Sequence, residues 1–96
     1  MDVESFERSL GDAAPPAGLT PLLIALWHAG RGEWNAAHDL VGDDASRAAA
    51  WVHAWLHREE GDLDNAGYWY RRAQRPAEHG DLRAEWRRIV TELLAG

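Results

Sequence analysis

Four identities recur at one offset in this chain: Ala25, His28, Gly32 and Ala37 are followed, 29 residues on, by Ala54, His57, Gly61 and Ala66. A repeat of this length holds one helix-turn-helix unit, and such a unit must bury its apolar face against a neighbour. The pattern therefore predicts an all-α fold of packed helical hairpins. Repeated hairpins make binding scaffolds more often than catalysts.

The signals between these landmarks divide the chain. Val3, Phe6 and Leu10 fall at helical spacing in a short, weak N-terminal helix over residues 1–10, which Gly11 ends. Residues 11–19, with Pro15 and Pro16, read as a linker. Hairpin one spans 20–42. Thr20 can cap an orphan amide and Pro21 suits a first helical turn, so a helix starts there and runs to about Ala29. Its Leu22, Leu23, Ile24, Leu26 and Trp27 cover nearly every side, which predicts the most buried helix of the domain. Gly30 and Gly32 close the turn, and Trp34, Ala37, His38 and Val41 mark one face of a second helix from Glu33 to about Val41.

Hairpin two spans 44–76. Asp44 or Ser46 caps a helix whose Trp51, Val52, Trp55 and Leu56 form an apolar arc as far as Glu60. Gly61 breaks it, Asp62 caps the next helix, and Leu63, Ala66, Tyr70 and Ala73 form a stripe beside Trp69. Asp81 then caps a closing helix over 81–95, with Leu82, Trp86, Ile89, Val90 and Leu93 on one face. The expected architecture is one helical domain, 1–96: a compact bundle of two hairpins, a closing helix and the short N-terminal helix.

Composition narrows the function classes. All ten basic residues are arginine, and sixteen acidic residues leave a net charge of -6, which opposes general binding to a phosphate backbone. Arg71, Arg72 and Arg75, or Arg83, Arg87 and Arg88, could form only a local basic edge. Without cysteine there is no disulfide, thiolate metal site or thiol nucleophile. The longest apolar run, Leu22 to Trp27, is too short for a membrane span or a signal core, so the expectation is a cytoplasmic protein with no membrane association.

The stretch GDLDNAGYWYRRA, residues 61–73, resembles the second half of a tetratricopeptide repeat. Its Trp69, Tyr70, Arg71, Arg72 and Ala73 look especially like the related Sel1-type repeat. In those families a small residue on each helix lets the pair approach closely; Ala54 and Ala66 occupy the corresponding places, and Ala25 and Ala37 repeat them. The resemblance covers about residues 20–76 and implies a protein-binding scaffold. The spacing is shorter than the 34 residues of the family, and two units are few, so a compact bundle is expected instead of an extended superhelix. The chain is also similar to small uncharacterised bacterial proteins built around an HREEGD-like turn and a YWYRRA-like helix, a resemblance that brings no activity.

The sharpest chemical candidates are histidines. His53 and His57 lie four apart on one helix face, a spacing that suits a transition metal, but a site needs a third ligand: His28, His38 or a carboxylate such as Glu60. Opposite the Trp51 and Trp55 arc, they read as a solvated or partner-facing edge. Ile24, however, holds the place of His53 in the first unit, a hint of burial between hairpins. The prevailing expectation is structural histidines, with no metal ligand set and no cofactor.

A catalytic alternative joins these histidines to Glu59, Glu60, Asp62, Tyr68 and Tyr70 for proton transfer, yet the same residue types cap and brace any helical hairpin. Ser5, Ser9, Thr20, Ser46 and Thr91 lie in no nucleophile motif, and Gly30 and Gly32 lack the lysine and hydroxyl of a nucleotide loop. No catalytic residue is assigned. The six tryptophans fall on or beside apolar faces and read as core, any left uncovered being suited to a groove. The leading expectation is a non-catalytic scaffold that binds a protein or peptide through His53, His57, Tyr68 and Arg72, with self-association as a homodimer along the closing helix as another use of leftover apolar surface. The alternative is a small histidine-dependent enzyme or metal-binding protein using His53 and His57, with His28 as a further candidate ligand. The repeated His28 and His57 are otherwise explained by hydrogen bonds to carbonyls at the helix ends.

Overall fold

Local capping sets the helix starts. In the computed structural model, which describes residues 1–96, six α-helices and no strand are formed: α1 (Val3–Arg8), α2 (Pro21–Gly30), α3 (Trp34–Val41), α4 (Arg47–Glu60), α5 (Leu63–Ala73) and α6 (Leu82–Ala95). A 3-10 turn over Ser9–Gly11 extends α1. The side chains of Thr20, Ser46, Asp62 and Asp81 each accept a hydrogen bond from the amide three residues on, satisfying a donor that the first helical turn leaves free. Of the two candidate caps for α4, Ser46 takes the role, while Asp44 accepts from the Ser46 amide.

The two hairpins are α2 with α3 and α4 with α5. Gly32 and Gly61 hold equivalent places in their turns at φ of +80° and +88°, a conformation that costs other residues energy. The four repeated alanines, Ala25, Ala37, Ala54 and Ala66, are all buried. Gly30 plays a different part from the one expected of it. It ends α2 with helical backbone, and a Cβ there would lie 2.8 Å from the Trp86 ring and 3.0 Å from Leu10. Its hydrogen is needed for close approach, not for a turn.

The helix with most of its surface covered is α4, which corrects the expectation for α2. Nine consecutive residues, Ala49 through His57, are buried, whereas Leu22 and Ile24 of α2 stay partly exposed. The reason is position: α4 packs against α2, α3, α5 and α6, so no side of its middle turns meets water.

Tryptophans tie the layers together. The indole N–H groups of Trp27, Trp34, Trp55 and Trp86 donate to the carbonyls of Ser9, Leu56, Leu82 and Leu26, so each ring packs apolar surface and satisfies its one polar atom on another element. The closing helix α6 turns Trp86, Ile89 and Val90 inward, which uses much of the face considered above as a dimer seam. Glu85, on the same side, is completely buried. Its carboxylate accepts from Trp51 Nε1 at 3.0 Å, Tyr70 Oη at 2.6 Å and the Arg58 guanidinium at 2.6 Å, and Arg58 also donates to the Gly80 carbonyl. Burial, and then the hydrogen bond to Glu85, push the Tyr70 phenol well above its ordinary range, so it stays a donor at all ordinary pH values.

Candidate functional site

At the crossing of the two hairpins, α3 contributes Trp34 and His38, α4 contributes His53 and His57, and α5 contributes Asn65 and Trp69. One ring nitrogen from each of His38, His53 and His57 lies within 4.8 Å of the other two. The rings are packed as aromatic plates. His53 stacks on Trp69 at 3.9 Å and 10°, His38 stacks on Trp34 at 4.8 Å and 8°, and the edge of His38 faces His53 at 5.1 Å.

The hydrogen bonds distinguish the rings. His57 Nδ1 lies 2.6 Å from the Glu60 carboxylate, so in the neutral ring Nδ1 carries the hydrogen and Nε2 keeps its lone pair. Asn65 approaches the same ring at 3.4 Å. His53 meets only the Gly42 carbonyl, 3.4 Å from Nε2, and its buried Nδ1 has no partner. Native structures rarely leave such a group unpaired.

His53 and His57 are 2% and 6% exposed, so they do not form the solvated edge expected of them. The helical wheel placed them opposite the tryptophan arc correctly, but α3 and α5 cover that side too. The partial signal was Ile24, an apolar residue at the place equivalent to His53. His38, considered only as one of several third ligands, joins the pair; His28 does not, its Nδ1 being 2.7 Å from Glu33. The repeated histidines therefore both meet a carboxylate and not a helix-end carbonyl, but in different ways: His28 reaches Glu33 across its turn, whereas His57 meets Glu60 one turn on in its own helix. Trp34 and Trp69, half-buried on either side of the cluster, were not singled out with the histidines. Trp69 stands 29 residues from Leu40, and only the packed structure shows that it covers His53.

Outside this layer the exposed surface carries Tyr68 and Arg72. The Arg72 guanidinium donates to Tyr68 Oη at 3.1 Å and lies 5.1 Å from the Trp69 ring centre. Of the four residues expected to contact a partner, these two reach solvent. The other arginines that might form a basic edge are largely engaged: Arg75 with Glu92, Arg87 with Glu4 and Glu7, Arg88 with Glu78, and Arg83 with the Gly30 carbonyl. None of the three surface cavities is lined by a histidine; the largest, about 480 Å³, lies between Arg47, Trp51, Arg75 and Leu93. No helix is long and apolar enough to cross a membrane.

Burial pushes the His53 imidazole down to about 4; the Gly42 carbonyl opposes this, and His38, His57 and Arg72 add to it. Because the folded value lies below the unfolded value near 6.5, the neutral ring stabilises the fold fully above about pH 6.5. That contribution is lost as pH falls from 6.5 towards 4, where the folded form also takes up the proton. Metal-free protein should lose about 2 kcal/mol from this group over the interval. Urea melts at pH 7 and pH 4.5 measure it: His53→Leu should show a shallower decline than wild type, and equal slopes would exclude His53 as the source.

No protein-family model, curated protein or solved structure matches the chain.

Proposed function

We propose that the protein is a non-catalytic scaffold of two tetratricopeptide- or Sel1-like hairpins that binds a protein or peptide partner, with Tyr68 and Arg72 as its contact residues. The observation that supports this reading is the pre-ordered surface pair itself: an exposed tyrosine held by an arginine that also lies near the half-buried Trp69. Tyrosine, tryptophan and arginine dominate binding hot spots because they bury large surfaces while retaining directed polar groups. Holding them in place before contact reduces the entropy lost on binding. His53 and His57 act beneath this surface, where they support Trp69 and the α4–α5 crossing.

The experiment compares wild type with Tyr68→Ala/Arg72→Ala. Both positions are at the surface, so the Tm should stay within about 5 °C, since surface substitutions usually change stability by no more than about 0.5 kcal/mol. Proteins recovered by wild type and lost by the variant are then purified and titrated directly, with binding expected to weaken about tenfold or more. Sedimentation of both proteins identifies a second copy of the chain as the partner if the wild type alone dimerises. Equal affinity for every purified partner, with no change in association state, overturns the reading.

A further inference from the structure

We infer that His38, His53 and His57 form a three-histidine site for a divalent first-row transition metal, zinc being the probe of choice, that joins hairpin one to hairpin two. The inference does not rest on the partner surface proposed above, beneath which His53 stacks on Trp69. Its first support is convergence: the nitrogens come from α3 and α4, and all lie within 4.8 Å of one another. A tetrahedral zinc with bonds of about 2.0–2.1 Å needs ligand nitrogens about 3.4 Å apart, so each ring has to move inward by less than about 1 Å. His38 is the least enclosed of the three and has most room to do so.

The second support is the unsatisfied atom. His53 Nδ1 is a buried nitrogen without a hydrogen-bond partner, and its Nε2–H is directed to the Gly42 carbonyl at a long 3.4 Å. That tautomer leaves Nδ1 as a bare lone pair in the protein interior, a costly arrangement and a free donor for a cation. His57 supplies the complementary half. Its Nδ1 lies 2.6 Å from Glu60, which presents Nε2 as the ligand atom and reproduces the carboxylate–histidine arrangement that orients metal ligands and raises their basicity.

The donor set selects the ion. Three imidazoles suit zinc, copper, nickel or cobalt, whereas calcium and magnesium require oxygen ligands. The nearby carboxylate of Glu60 is directed to His57, and three protein ligands leave a fourth position for water. Because His38 belongs to one hairpin and His53 and His57 to the other, binding fixes their crossing and favours the folded state.

Tag-free, chelator-stripped full-length protein is titrated with zinc chloride by calorimetry and with cobalt chloride by visible absorption. One equivalent should bind, with cobalt bands typical of low coordination number, and hundredfold excess zinc over Kd should raise the Tm by roughly 10 °C. Glu60→Gln should weaken binding about 10–100-fold at unchanged stoichiometry. His38→Gln should weaken it at least as much, and as a half-buried position it serves where His53→Gln fails to fold. His28→Gln and His79→Gln should bind like wild type. Absence of saturable one-to-one binding, or binding unchanged in folded His38→Gln, overturns the site; so does binding that depends on His79.

Discussion

Replacement of Glu85 by alanine is expected to destabilise the protein by about 3–5 kcal/mol, the usual cost of leaving a buried ion pair without one partner. For a chain of this size that corresponds to a fall in Tm of roughly 15–30 °C. The carboxylate is fully enclosed and accepts hydrogen bonds from Trp51, Tyr70 and Arg58. Its removal strands a nearly buried guanidinium, a phenol and an indole N–H at once. The attraction between Arg58 and Glu85 is not itself the measure of the loss, because desolvation offsets much of it. A paired substitution separates the two effects. Glu85→Gln/Arg58→Met retains an acceptor for Trp51 and Tyr70 and removes the stranded cation, so thermal melts should show less destabilisation than the sum of the single variants. Additive losses would mean that the three donors are satisfied independently of one another.

The second large effect is expected at Trp86. Its ring is completely buried, lies 5.8 Å from the Phe6 ring centre, fills the space beside Gly30 and donates to the Leu26 carbonyl. Trp86→Ala removes a contact that joins α6 to α1 and α2, and should cost about 3–5 kcal/mol through lost burial and the cavity left behind. Gly30→Ala tests the same contact from the opposite side. The new methyl group would approach the indole to 2.8 Å and Leu10 to 3.0 Å, so overpacking should cost about 1–3 kcal/mol despite alanine's better helix propensity. In the Trp86→Ala background that penalty should largely disappear, since the cavity receives the methyl group. A Gly30→Ala variant as stable as wild type in urea denaturation would show that the crossing can relax.

Much of the helical framework was legible because capping acts over three or four residues. Thr20, Ser46, Asp62 and Asp81 are recognisable from the helix that follows each of them, and Gly32 and Gly61 from the turn they permit. The duplicated alanines carried information of the same kind, since a small residue at a helix crossing is needed whatever surrounds the pair. Glu85 was missed although a signal existed. It stands three residues after Leu82 and four before Ile89, on the stripe that α6 buries, but an acidic residue in a first helical turn ordinarily reads as a favourable dipole partner.

The site was less legible for a different reason. His53 and His57 share a face of α4 by helical geometry alone, and the sequence determined that much. Whether that face met water, a partner or the interior depended on how α3 and α5 packed over it, a relation between residues distant along the chain. Tertiary structure brought His38 to the pair, placed Trp69 against His53 and left Nδ1 of that ring without a hydrogen bond. It also directed His28, the equivalent of His57 in the repeat, to Glu33 and away from the cluster. The sequence by itself determined the helices, their caps and the doubled hairpin, because those follow from neighbours along the chain. Only the tertiary structure decided which polar groups became buried together, because burial is a property of the packed helices and not of any one of them.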